Sequence, residues 1–267
     1  MAGATKTDLI KQLTEGIAAL TTTQQWERWL RARRAFHRYS FSNGLLILRQ
    51  FPEASRVAGF QSWRQLGRSV RKGERGIAIL APIAQRPQAE DDDDDELSPV
   101  AFRIAYVFDV SQTDGEPLPE IAHRLNGDDP VGASVRLEKV AAELGFSVTV
   151  TQLPGERNGD CSHELRRIRV SDRLAPAHRV KTLAHELAHA ILHGDFEDRG
   201  LAELEAESVA YIVCQELALD SGAFSFGYLA GWARGGDEAT RAITASGQRI
   251  TAAARQILDR LDGDGRP

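Results

Sequence analysis

From Pro176 to Gly194 the chain reads as one amphipathic helix with two histidines on one side. Val180, Leu183, Ala184, Leu187 and Ile191 recur at helical spacing, Pro176 suits a first turn, and Gly194 suits a stop. Within it, His185-Glu186-Leu187-Ala188-His189 sets two imidazoles four residues apart, and so on one face. Imidazoles placed this way can share a metal ion. Glu186 then stands beside the ion rather than on it, where a carboxylate can take a proton from water. His193 lies two turns beyond His185, about 12 Å along the axis, too far to share the ion easily, and reads as a helix-end residue.

The third ligand must come from another element. Downstream, Val209, Ile212, Val213 and Leu217 form a helical apolar stripe that follows Glu203, Glu205 and Glu207. Glu203 and Glu207 are four apart and share a face, whereas Glu205 points elsewhere. One of the pair can complete a His, His, Glu set with a fourth position left for water, and the other can orient a ligating imidazole. Glu203 is taken as the ligand and Glu207 as the orienting partner, with the reverse order as the alternative. Zn2+ is the ion this ligand pattern expects. Tyr211, Tyr228 and His178 are the candidates for stabilising an oxyanion.

Two cysteines, Cys161 and Cys214, make neither a disulfide framework nor a Cys-x-x-Cys site, which fits a reducing compartment. Cys161 reads as a packing thiol rather than a ligand. The N-terminus is polar and no apolar run reaches membrane-spanning length, so a cytoplasmic protein without membrane contact is expected.

The net charge of −5 conceals an asymmetry. Trp26 to Leu80 holds eleven arginines and Lys72 against three acids, Glu27, Glu53 and Glu74, or about +9. Three of the four tryptophans lie in the same stretch. Cations neutralise phosphates and aromatic faces stack on unpaired bases, so this part reads as a groove for single-stranded nucleic acid. Arg31, Arg34, Arg38, Arg71, Lys72 and Arg75 are the candidate phosphate contacts. Tyr39, Phe41 and Trp63 are the candidate stacking residues, while Trp29, Phe36 and Phe60 have core-like spacing.

In chain order, helices are expected over 7–20, 24–39 and 43–50, strands over 56–60, 77–83 and 101–110, and a basic turn over 69–76. Seven consecutive acids, Glu90 to Glu96, repel one another and belong to a loop, 89–97. A polar stretch with Pro and Gly, 119–132, is a linker. Beyond it come a helix at 135–144, strands at 146–153 and 164–170, the two helices of the metal site, and a last helix at 237–261. An edge strand beside the metal helix could hold an extended peptide. The expected class is α+β. N-terminal helices with a small antiparallel sheet (1–118) precede the linker. A zincin-like domain (133–267) then combines a small sheet, the His-Glu-x-x-His helix, the glutamate helix and the C-terminal helix.

Four blocks, Tyr39 to Ile47, Ala58 to Trp63, Gly67 to Gly76 and Val107 to Thr113, resemble the N-terminal domain of ArdC-like antirestriction proteins. His185-Glu186-x-x-His189 with Glu203-x-x-Ala206-Glu207 resembles the metallopeptidase half of the same proteins and, more loosely, ImmA/IrrE-type peptidases. The resemblance implies single-stranded DNA as one partner, an unknown protein or peptide as substrate, and protection of mobile-element DNA from restriction. Two rivals remain at this level. One is a non-catalytic DNA-binding protein with a structural zinc site, and the other is a regulatory peptidase that cleaves a repressor.

Overall fold

The computed structural model describes residues 4–33, 38–83, 102–116, 118, 130–194, 198–219 and 236–263. The loop 89–97 and positions 119–129 of the linker lie outside them, as do Arg34, Phe36 and Tyr228. The architecture is α+β, helices with, among the described residues, three small sheets. Among the described residues, no helix is long and apolar enough to cross a membrane. The chain divides into two compact units, each drawn from two segments. One combines Met1–Gly16 with Ser42–Pro117, and the other combines Ile17–Phe41 with Leu118–Pro267.

The first unit holds most of α1 (Lys6–Ala19), α3 (Phe41–Gln50), β1 (Val57–Gly59), α4 (Phe60–Gln65), β2 (Arg68–Val70), β3 (Ile77–Pro82), β4 (Phe102–Asp109) and β5 (Thr113–Gly115). Its antiparallel sheet runs β1-β4-β3, and β2 pairs with β5 as a separate ribbon. Leu9 of α1, Leu46 of α3 and Ala78 of β3 form a buried cluster with Leu13, Leu80 and Ile104 against it. Strand β3 is a sheet edge, and α3 occupies its free hydrogen-bonding groups. The Asn43 amide donates to Leu80 O at 2.9 Å and accepts from Leu80 N at 3.0 Å. The Gln50 amide, two helical turns on, does the same for Ala78 at 2.8 and 2.9 Å. Two side chains thus do the work of a neighbouring strand, and the edge is closed to other chains.

Asp109, 1% exposed, ends β4. It accepts from Ser55 N at 2.7 Å, Arg56 N at 3.0 Å and Ser111 N at 2.9 Å. Burial alone would raise its pKa, but these donors together hold the carboxyl below its ordinary value. The turn that follows β4, Val110–Gln112, and the β2–β5 ribbon carry no apolar alternation, so no strand was expected there. The ribbon is held by Arg68, whose guanidinium donates to Thr113 Oγ1 at 2.8 Å and Thr113 O at 3.0 Å.

The second unit holds α2 (Thr23–Arg33), α5 (Pro130–Glu143), β6 (Ser147–Thr151), β7 (Gly159–Ser162), β8 (Arg167–Ser171), α6 (Pro176–Leu192), α7 (Arg199–Glu216) and α8 (Gly236–Gly263). Residues 17–41 group here rather than with the rest of 1–118, and the reason is burial. Trp26 and Trp29 are 0% and 1% exposed, and Trp26 Nε1 donates to Ser208 Oγ of α7 at 3.0 Å. Trp29 meets Phe41 edge-on at 5.3 Å. A Cβ at Gly247 of α8 would collide with the Phe41 ring, so that close approach requires glycine.

The sheet of this unit runs β6-β8-β7, with β6 parallel and β7 antiparallel to β8. Ile168 and Val170 of β8 are fully buried with Val180, Leu183 and Leu187 of α6. Helix α7 contributes Val209, Ile212 and Val213, and α8 contributes Ile250 and Ile257. Strand β7 was not expected from the sequence, because Gly159-Asp160-Cys161-Ser162 is polar and lies at intermediate burial throughout. It is the edge strand beside α6.

Candidate metal centre

Helix α6 begins with Pro176 at its first turn and ends at His193, its C-cap. Helix α7 begins at Asp198, whose side chain accepts from Leu201 N at 3.0 Å. Packing of these two helices brings His185, His189 and Glu203 together. One ligand atom from each lies within 4.8 Å of the others. His185 Nε2 and His189 Nε2 are 3.0 Å apart, and Glu203 oxygens lie 3.3 Å from the first and 3.7 Å from the second. Ligands about 2.05 Å from a tetrahedral cation are separated by about 3.3 Å. Two imidazole nitrogens and a carboxylate at these spacings fit a divalent metal.

Glu207 turns to the other nitrogen of His185. Its Oε2 lies 3.3 Å from His185 Nδ1, and its Oε1 lies 2.9 Å from Lys181 Nζ. A carboxylate on Nδ1 leaves Nε2 pointing at the ligand cluster. His193 is more than a helix end. Its Nδ1 is 2.9 Å from His189 Nδ1, and its Nε2 is 3.2 Å from Glu205 Oε2. Spacing alone had set both His193 and Glu205 aside. A fully buried glutamate between two site glutamates was the signal, and it is readable only once burial is known.

Glu186 is 7% exposed and lines the same cleft, of about 600 Å3, as the three ligand residues. Burial pushes its carboxyl up to about 7; His185 opposes this, and Glu203 and Asp160 add to it. Burial disfavours a charge on His185, but hydrogen bonds to Glu203 and Glu207 carry it up to about 9. His189 falls to about 4, through burial and then the charge on His185.

Strand β7 forms the opposite wall. Gly159, Asp160 and Cys161 line the cleft, as do Arg157, His178 and Arg199. Asp160 is held by Arg169 at 2.6 Å. The Cys161 thiol is pushed up to about 12 by burial, then by Glu186 and Asp160, and stands outside the ligand set. Among the oxyanion candidates, His178 lines the cleft. Tyr211 does not: it is 8% exposed and hydrogen-bonded to Arg31.

The expected nucleic-acid contacts separate by exposure. Lys72 and Arg75 are exposed in the turn between β2 and β3. Arg71 is exposed there too, but is engaged by Glu74 at 2.7 Å and Asp114 at 3.4 Å. Arg38 is exposed, Tyr39 is half-buried, and Arg34 lies outside the described residues. Phe41 and Trp63 are corrected. They are 1% and 2% exposed, and Trp63 Nε1 donates to Phe108 O at 2.9 Å, so neither ring has a free face for a base. Phe60, read as core, is 46% exposed, as are Phe102 at 44% and Tyr106 at 47%. Tyr106 alternates with buried Val107 along β4, a pattern that strand register makes visible.

The second unit, with its small sheet, its two facing helices and a His, His, Glu donor set backed by a buried glutamate, is metallopeptidase-like. Residues 140–221 match the IrrE N-terminal-like domain of the M78 peptidases, and residues 5–110 match the N-terminal domain of anti-restriction factor ArdC. The two matches follow one another along the chain, the ArdC N-terminal domain first and the M78-type domain second. The fold of the chain is similar to crystal structures of the antirestriction protein ArdC from plasmid R388. The metal-free form matches with a TM-score of 0.56 over 97% of this chain and 100% of that one, at 20% identity. The Mn(II)-bound form matches with a TM-score of 0.54 over 95% and 98%, also at 20% identity. In sequence, the uncharacterized protein pXO2-81 of Bacillus anthracis is 26% identical, over 76% of this chain and 42% of the relative. The chain thus spans about two fifths of that relative's length.

Proposed function

We propose that the chain is a zinc-dependent metallopeptidase that binds single-stranded DNA in the cytoplasm and protects mobile-element DNA from restriction. The modules would be 1–118 for DNA, its residues 17–41 packed within the second unit, and 133–267 for hydrolysis, joined by 119–132. The observation that carries the peptidase reading is the convergence of His185, His189 and Glu203 with buried Glu186 in one cleft.

When bound, zinc would supply Lewis acidity, polarising a scissile carbonyl and acidifying water. His185, His189 and Glu203 would hold it, and Glu207 would fix the His185 ring. Glu186 takes a proton from the attacking water and delivers it to the leaving amine, the task of a general base that then acts as an acid. Its burial between β7 and α6 keeps that carboxylate away from bulk water. The edge of β7 would hold an extended peptide along the cleft. In the first unit the surface cations Lys72 and Arg75, with Arg71, would contact phosphates and Tyr106 would offer a ring face to bases; in the second unit, Arg38 and Arg31 would contact phosphates and Tyr39 would offer a ring face.

Glu186→Gln tests the reading. The variant is expected to keep metal and DNA binding and to lose peptide hydrolysis. Proteolysis at the wild-type rate would remove Glu186 as the base. If the variant still protects single-stranded DNA fully, protection comes from occupancy and the non-catalytic rival gains.

A further inference from the structure

Glu205 is a charged side chain with 0% exposure on a helix whose neighbouring glutamates, Glu203 and Glu207, reach the histidines of the ligand set. Its carboxylate accepts from Arg249 Nε of α8 at 3.0 Å and stands 3.2 Å from His193 Nε2. His193, itself 9% exposed, meets His189 Nδ1 through its own Nδ1 at 2.9 Å. A buried ion pair adds little to stability over well-packed apolar residues of the same volume, so this one calls for a further reason.

We propose that Arg249, Glu205 and His193 form a hydrogen-bond relay that fixes the tautomer and ring orientation of His189, making His193 and Glu205 positioning residues for the metal. The inference rests on the metal-binding reading above. Its logic is one of donor and acceptor bookkeeping. A carboxylate paired with a guanidinium accepts only, so His193 must present an N–H at Nε2. A neutral His193 then has only a lone pair at Nδ1. His189 must in turn donate from Nδ1, which leaves the lone pair of Nε2 aimed at Glu203 and His185. The direction of every bond is set from the Arg249 end. The two ligating imidazoles are therefore supported differently: His185 by a carboxylate directly, paired with Lys181, and His189 by a carboxylate acting through a second imidazole.

The test uses the full chain with 15N-labelled histidine. Long-range 1H–15N spectra of the metal-free protein at neutral pH should show His189 protonated at Nδ1 and His193 at Nε2. In His193→Phe and Glu205→Gln the single His189 tautomer should be lost. Zinc affinity, measured by competition with a chromophoric chelator, should fall about tenfold to a hundredfold, as when a ligand's supporting partner is removed. Glu205→Gln keeps shape and removes only the charge that sets the direction, so it decides the matter if His193→Phe does not fold. A wild-type His189 protonated at Nε2, or variants with unchanged tautomer and affinity, would overturn the relay. A wild-type protein that takes up no metal would remove the functional reading, and the metal-free tautomers would then decide the relay by themselves.

Discussion

A Cβ placed on Gly159 would lie 2.7 Å from Glu186 Oε1 and 2.7 Å from Thr182 Cγ2. The edge strand therefore approaches the metal helix as closely as a residue without a side chain permits, and Glu186 is held against that backbone.

Gly159→Ala should displace Glu186 while leaving the ligand residues in place. The expected result is a large loss of hydrolysis with near-normal metal affinity, and a stability cost of about 1–3 kcal/mol from overpacking. Parallel measurement of metal binding and thermal unfolding checks it. Equal loss of metal and activity would place the strain elsewhere.

Glu203 and Glu207 should behave differently on substitution. Glu203→Ala removes a donor, and metal is expected to be lost. Glu207→Gln removes the support of His185 and should weaken binding by about tenfold to a hundredfold. Chelator competition on both variants checks the order, and the opposite ranking would exchange the two roles.

Asp109→Ala should cost the first unit about 1–3 kcal/mol per stranded backbone donor, read by chemical denaturation. The charge also predicts a pH dependence. Its folded pKa is depressed below the ordinary value, so its contribution is complete above the unfolded pKa and is lost as pH falls through the folded one. Wild-type stability should fall with acid across that window, and the Asp109→Ala variant should show a shallower fall.

Asn43→Leu removes both hydrogen bonds to Leu80 from the edge of β3. We expect a loss of about 1–3 kcal/mol and concentration-dependent self-association through the uncovered strand. Denaturation and light scattering read the two effects, and a variant that is destabilised but stays monomeric would show that the edge is protected by other means.

Lys72→Ala and Arg75→Ala should each reduce the slope of log affinity against log salt for single-stranded DNA by about 0.7. Trp63→Phe should instead lower stability by about 1 kcal/mol and leave the slope unchanged, because its indole serves Phe108 O within the core. A salt-slope change in the tryptophan variant would return that ring to the DNA surface.

Local periodicity made α6, α7, α8 and the long strands legible, and the pairing of His185 with His189 needed only the pitch of a helix. The four N-terminal blocks likewise pointed to the ArdC-like architecture without coordinates. Helix pitch also grouped Glu203 with Glu207, but it could not say which carboxylate reaches the ligand cluster. That depends on how far α7 slides along α6, a matter of packing rather than of spacing.

Tertiary structure alone decided the burial of Phe41 and Trp63. A sequence shows that a ring is large and apolar, but not whether Gly247 or Phe108 will lie beside it. It alone brought polar Gly159 to Ser162 into the sheet, since that strand owes its place to hydrogen bonds with β8 rather than to apolar alternation. It also joined Arg249 to Glu205 and His193, residues up to 56 positions apart that no helical or strand repeat relates. Periodicity is a property of neighbours along the chain, whereas the direction of a buried hydrogen-bond network is set by charges that only folding brings into contact.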